Sequence, residues 1–279
     1  MLKKLLLISS LVYTASAVEI EKVWESESVL KVPESVYFDN TKNVLYVANI
    51  NGKPTAKDGN GFISIMSIEG KIKTLKFSQG FDAPKGMDVY NNKLYVSDID
   101  TLRVVDLDSG KIVQNYKIDE AKFLNDVVVS DTGTIYVSDF SGKNNAVYKI
   151  MNGKVTKWLN GSQLLGQRPN GLWLEKHDLV IGTKEGTIFK SSLKTKKLKV
   201  FKAHIGVNGI DGILPFDENS YITSDWAGRV FISDGKSSVK ILDNAAQKIN
   251  AADIWYDSET KRIYVPTFFD NRILCFQIK

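Results

Sequence analysis

Residues 124–139 read Leu-Asn-Asp-Val-Val-Val-Ser-Asp-Thr-Gly-Thr-Ile-Tyr-Val-Ser-Asp, and this stretch decides the fold. Val127 and Val129 alternate with their neighbours, Asp131-Thr132-Gly133 supplies a tight turn, and Ile135 to Asp139 is again β-branched and aromatic. Period-two alternation on both sides of an Asp-x-Gly turn is the signature of a β-hairpin. The unit recurs. Pro33-Glu34-Ser35-Val36, Pro84-Lys85-Gly86-Met87, Pro169-Asn170-Gly171-Leu172, Ile210-Asp211-Gly212-Ile213 and Ala251-Ala252-Asp253-Ile254 each open a comparable run. Taking the second residue of each segment as a marker gives positions 34, 85, 125, 170, 211 and 252, spaced by 51, 40, 45, 41 and 41 residues. A repeat of about forty residues built only of strands matches one four-stranded propeller blade. The expectation is an all-β, six-bladed β-propeller forming one domain over residues 18–279. The long first interval is absorbed by a polar loop, Asn51 to Gly61. The run from Arg272 to Ile278 is expected to close the ring against N-terminal residues, because closure removes exposed sheet edges.

Met1 to Ala17 reads as a secretory signal, with Lys3 and Lys4 before an apolar run and Ala15-Ser16-Ala17 as the cleavage pattern. The run is shorter than the roughly 20 residues that span a bilayer, so no membrane anchor is expected. No cysteine follows the cleavage pattern for lipid attachment. A periplasmic protein is expected, with extracellular secretion as the alternative. Removing Lys3 and Lys4 from the 37 basic residues leaves 35 against 32 acidic ones, a net of +3. That balance argues against nucleic acid as a partner. The cluster Lys194, Lys196, Lys197 and Lys199 is read as a solvated turn. Cys275 is the sole cysteine, read as a buried thiol, and no intramolecular disulfide can form. Neither a phosphate-binding loop nor a dinucleotide fingerprint occurs.

In a propeller, equivalent residues at the start of the innermost strands ring the central channel. Here that ring reads Glu34, Lys85, Asn125, Asn170, Asp211 and Ala252. Carboxylates and amides converging on a tunnel stay unsatisfied without a cation. The donors are all oxygen, which favours calcium over zinc and leaves magnesium and manganese open. Asp98, Asp139 and Asp225 end second strands and are read as acceptors of turn N–H groups; Asp126 and Asp253 are read alike. Trp158, Trp173, Trp226 and Trp255 are assigned to the core between blades, and His177 to a surface turn.

At Pro33-Glu34, Leu124-Asn125-Asp126, Arg168-Pro169-Asn170-Gly171-Leu172 and Gly209-Ile210-Asp211-Gly212 the chain resembles the senescence marker protein/gluconolactonase/luciferin-regenerating enzyme family. The resemblance implies a six-bladed propeller with one divalent metal in its channel, held by Glu34, Asn170 and Asp211. Asn125 matches a further asparagine near metal and substrate. It also implies hydrolysis of a lactone or related ester, the metal polarising the carbonyl, Asp211 assisting the attacking water and Asn125 orienting substrate. Sugar-lactone hydrolases of the family can carry an arginine two residues before that asparagine, where this chain has Phe123; the resemblance then implies a less polar lactone, another ester, or no turnover. Lys85 in the ring points to an anionic substrate or an altered channel. His204, on the loop leading to Asp211, is a further candidate substrate contact, with loop packing as its alternative. The contrasting reading is a non-enzymatic scaffold with a structural metal and a protein partner.

Overall fold

The computed structural model describes residues 18–143, 145–202, 206 and 209–279. The expected signal segment, residues 1–17, and His204 lie outside the described residues. Six four-stranded antiparallel sheets form the six blades of a propeller. The innermost strands are Pro33–Asp39, Pro84–Tyr90, Leu124–Val129, Pro169–Leu174, Ile213–Asp217 and Trp255–Asp257. The first packs on the second and so on round to the sixth, which returns to the first. Closure follows the expectation: the last strand, Ile273–Ile278, pairs antiparallel with Ile20–Glu25, so the chain's two ends complete one blade. Among the described residues no helix is long and apolar enough to cross a membrane.

Apolar side chains of successive blades interleave as seven buried clusters, one of which joins Ile263, Val265 and Leu274 of the sixth blade to Ile222 and Val230 of the fifth. Trp158 packs edge-on against Tyr136 at 5.3 Å, and Trp255 lies tilted against Tyr37 of the first blade at 4.5 Å. Trp173 packs partly buried against the clusters of the fifth and sixth blades. These three meet the expectation of core; Trp226 does not and is taken up below. Cys275 is buried, which pushes its thiol up to about 12. His177 and the four clustered lysines are exposed.

Near the axis the strands crowd. A Cβ on Gly86 would sit 2.4 Å from the Asp126 carboxylate, and one on Gly171 2.3 Å from the Asp211 carbonyl. A Cβ on Gly212 would lie 2.7 Å from the backbone nitrogen of Ile254. The residue after each of the first five markers is therefore either glycine or a side chain that bonds the next blade; after the sixth, Asp253 joins the first blade through its backbone. Ser35 donates from Oγ to the Lys85 carbonyl at 2.7 Å. Asp126 accepts the Leu172 N–H at 2.6 Å. Asp126 thus ties two blades together instead of capping a turn, because among the described residues the third and fourth inner strands share no backbone hydrogen bond and the Leu172 amide needs another acceptor.

Overpacking a close backbone approach costs about 1–3 kcal/mol. Gly171→Ala should lose stability of that order by urea denaturation, whereas Gly142→Ala, with nothing within 4 Å of its Cβ position, should stay within about 0.5 kcal/mol of wild type.

Candidate functional site

The first four markers sit at an irregularity in their strands, whereas Asp211 and Ala252 lie just before theirs. Register shifts fall between Pro33 and Ser35, Pro84 and Met87, Leu124 and Val127, and Pro169 and Leu172. A bulge takes a residue out of the ladder and re-aims its side chain, and here it turns Glu34, Lys85, Asn125 and Asn170 toward the channel. Second strands brace these bulges. Ser97 donates from Oγ to the Asn125 carbonyl, and Ser224 to that of Ala252 at 2.5 Å. Asp98 accepts the Ala83 N–H at 2.7 Å, and Asp139 accepts the Phe123 N–H at 3.0 Å. The expected role of Asp98 and Asp139 holds, and its effect is to fix the loops that deliver Lys85 and Phe123.

Glu34, Lys85, Asn125, Asn170 and Asp211 form the floor of one cavity of about 440 Å³, with Phe123 on its wall. The ring is thereby assembled, except that Ala252 contributes no donor. All five floor residues are buried. Asn170 donates from Nδ2 to Asp211 Oδ1 at 3.0 Å. Glu34 Oε2, Asn125 Oδ1 and Asn170 Oδ1 are buried without a hydrogen-bond partner. Three orphaned acceptor oxygens, one carboxylate and two amide, beside the Asp211 carboxylate are what a hard divalent cation would satisfy, so the residues fit such an ion. Among the described residues no group of three or more His, Cys, Asp or Glu side chains is placed to hold a metal; the donor set here depends on amide oxygens as much as on carboxylates.

Burial pushes the Glu34 carboxyl well above its usual range, helped by the charge of Asp211. Asp211 is pushed up to about 7 by burial, against the pull of its hydrogen bond from Asn170. Burial also pulls the Lys85 ammonium down, opposed by Glu34 and Asp98. Lys85 donates to the Ala83 carbonyl at 2.8 Å and lies 4.7 Å from the Phe123 ring centroid.

The walls hold what the sequence reading missed. Trp226, assigned above to the core, is 47% exposed and lines the cavity with Phe140, Lys184, Phe268 and Phe269. The physical reason is its position: Trp226 directly follows the strand Ser220–Asp225, where the chain leaves the blade on the channel face. Phe140 and Lys184 occupy the same place after Ile135–Asp139 and Asp178–Thr183, so the signal available was the residue after each second strand. Phe268 opens a one-turn 3₁₀ segment at φ 51°, a left-handed conformation uncommon for a bulky residue. Asp225 also faces the cavity and pairs with Arg229 at 2.5 Å. Pro54 brings the Asn51 to Gly61 loop to the rim.

At the channel's other end Asp88, Asp126 and Asp253 border a cavity of about 40 Å³. Burial pushes Asp253 well above the carboxylate range. No turn N–H bond to its carboxylate is found among the described residues, unlike the role expected for it.

No family model and no curated protein matches the chain. Solved structures do. A calcium-binding protein, regucalcin, from Agrobacterium tumefaciens superposes with a TM-score of 0.68 at 14% identity, covering 95% of this chain and 96% of that one. A luciferin-regenerating enzyme gives 0.66 at 12% identity, covering 94% and 97%. A streptogramin B lyase gives 0.66 at 11%, covering 93% and 97%. The chain has the fold of the luciferin-regenerating enzyme and regucalcin group, and at these identities the likeness is one of fold.

Asp88 gives a pH test. Burial raises its carboxyl to about 7, above the model-peptide 3.8. Its contribution to stability is therefore fully present below about pH 4 and is lost as pH rises through 7. For chelator-treated protein, unfolding free energy should fall between pH 6 and pH 8, and Asp88→Asn should remove about 1.4 kcal/mol of that fall. An unchanged slope in the variant would contradict the assignment.

Proposed function

We propose that this protein binds one divalent cation, calcium, at Glu34, Asn170 and Asp211, and hydrolyses a lactone or related ester held above it. The observation that carries the reading is the set of orphaned buried oxygens, Glu34 Oε2, Asn125 Oδ1 and Asn170 Oδ1, on the floor of an open cavity. The fold shared with a calcium-binding protein and with enzymes supports it, as does the signal-like N-terminus, which fits a periplasmic location.

A bound divalent ion supplies Lewis-acid polarisation of a carbonyl. The chain's own residues do the rest. Asp211 stands on the cavity side of the floor with Oδ1 held by Asn170, where it can take a proton from water attacking the acyl carbon. Returning that proton to the departing alkoxide completes the exchange of the ester C–O bond for a new one to water, giving a hydroxy acid from a lactone. Asn125, unpaired at Oδ1, is placed to orient the substrate or its water. Phe123 and Phe140, 5.7 Å apart, dry one wall and strengthen polar contacts below it.

A scaffold role has a narrower basis. The exposed aromatics, which would mark a protein-binding face, border the cavity itself and thus suit a small molecule.

Calorimetry on wild type should show one calcium site, and Asp211→Ala or Glu34→Gln should weaken it by on the order of 100-fold or more, since removing a ligand exceeds the 10–100-fold of a second-shell change. Calcium-dependent turnover across a lactone and aryl-ester panel should vanish in Asp211→Ala. Absence of calcium, magnesium and manganese binding in the wild type would overturn the reading.

A further inference from the structure

The cavity's upper walls differ in character. On one side Trp226, Phe268 and Phe269 meet edge-on, with ring centroids 5.6, 5.9 and 4.8 Å apart. Phe269 is 62% exposed, so this cluster offers apolar surface to whatever enters, the arrangement of a ligand wall. On the other side stand cations. The Lys85 ammonium, on a side chain only 1% exposed, donates one hydrogen bond, to Ala83, out of three it can make. Lys184 lies 5.9 Å from the Phe140 ring centroid and faces the cavity. No acidic side chain pairs with either ammonium among the described residues.

The charge balance then has a direction. Asp225 is neutralised by Arg229. Glu34 and Asp211, once they hold a divalent ion, are neutralised by it. Lys85 and Lys184 remain, one at the floor and one at the wall, and leave the loaded cavity positive. A buried ammonium with unused protons is costly unless an anion meets it.

We propose that the ligand of this cavity is an apolar ester, aryl- or alkyl-substituted, that also carries an anionic group: the apolar body lies on Trp226, Phe268 and Phe269, and the anion meets Lys184 and Lys85. The catalytic part of this statement rests on the metal-dependent ester reading; the binding part does not. Polyhydroxylated lactones are disfavoured, because the wall that would bond their hydroxyls is Phe123 and Phe140.

The test is equilibrium binding by calorimetry, with phenylacetate, its neutral counterpart phenylacetamide, and gluconate, on calcium-loaded and on chelator-treated protein. Phenylacetate should bind about tenfold or more tighter than either of the others, the scale of one charge-assisted hydrogen bond. Lys184→Ala, an exposed position that should not disturb folding, should remove most of that preference and leave phenylacetamide binding unchanged. Phe269→Ala should weaken phenylacetate and phenylacetamide alike. Equal binding of phenylacetate and phenylacetamide, tightest binding of gluconate, no binding of phenylacetate, or an unaltered preference in Lys184→Ala would each overturn the proposal. A preference for phenylacetate that persists in a protein binding no cation would retain the charge assignment and remove the hydrolase reading, so the two failures separate.

Discussion

Six inner strands meet at the axis with less room than side chains need, and the rest of the molecule follows from how that crowding is resolved. Gly86, Gly171 and Gly212 give way where a neighbouring strand approaches within 3 Å of a Cβ position. Where the chain keeps a side chain at the equivalent place, it is one that bonds across: Ser35 to the Lys85 carbonyl, Asp126 to the Leu172 amide. These links join inner strands that do not pair through their backbones, while the sixth blade meets the first through a backbone bridge between Asp253 and Ser35. They also fix the bulges from which Glu34, Lys85, Asn125 and Asn170 project. A ring held this way cannot relax to pair its own oxygens, which is why three of them stay orphaned.

The same constraint explains what could be read from sequence. A marker repeated at 40 to 51 residues is visible because each blade must begin again at the axis, and the polar identity of five of the six markers stands out against apolar strands. Fold, closure and cavity floor were legible for that reason. The upper walls were not. They come in part from the residue after four of the second strands, a position fixed through its backbone in three of them, so its side chain varies: Ile50, Phe140, Lys184 and Trp226 share a place but no character. In the sixth blade the second strand ends in Pro266 in place of a Ser-Asp pair, and Phe268 and Phe269 reach the cavity from a 3₁₀ turn that no alternation pattern announces. Trp226 was misread because a tryptophan beside a strand end looks like core until the direction of the chain's exit is known.

Floor and walls divide the work. Under the proposed function, buried oxygen donors below would hold the ion, and the aromatic and cationic walls above would select what approaches it. Phe123 links the two levels: its backbone amide is fixed by Asp139, and its ring lies 4.7 Å from the Lys85 ammonium. The ring makes that wall apolar while the ammonium keeps hydrogen-bonding capacity beyond its bond to Ala83.

The central claim is that the ring oxygens hold a divalent cation. Crystals soaked in calcium and measured at a wavelength where calcium scatters anomalously test it directly. The account predicts one anomalous peak on the channel axis, about 2.3–2.6 Å from oxygens of Glu34, Asn170 and Asp211. No peak there, or a peak only beside Asp126 and Asp253 at the opposite end of the channel, would contradict it.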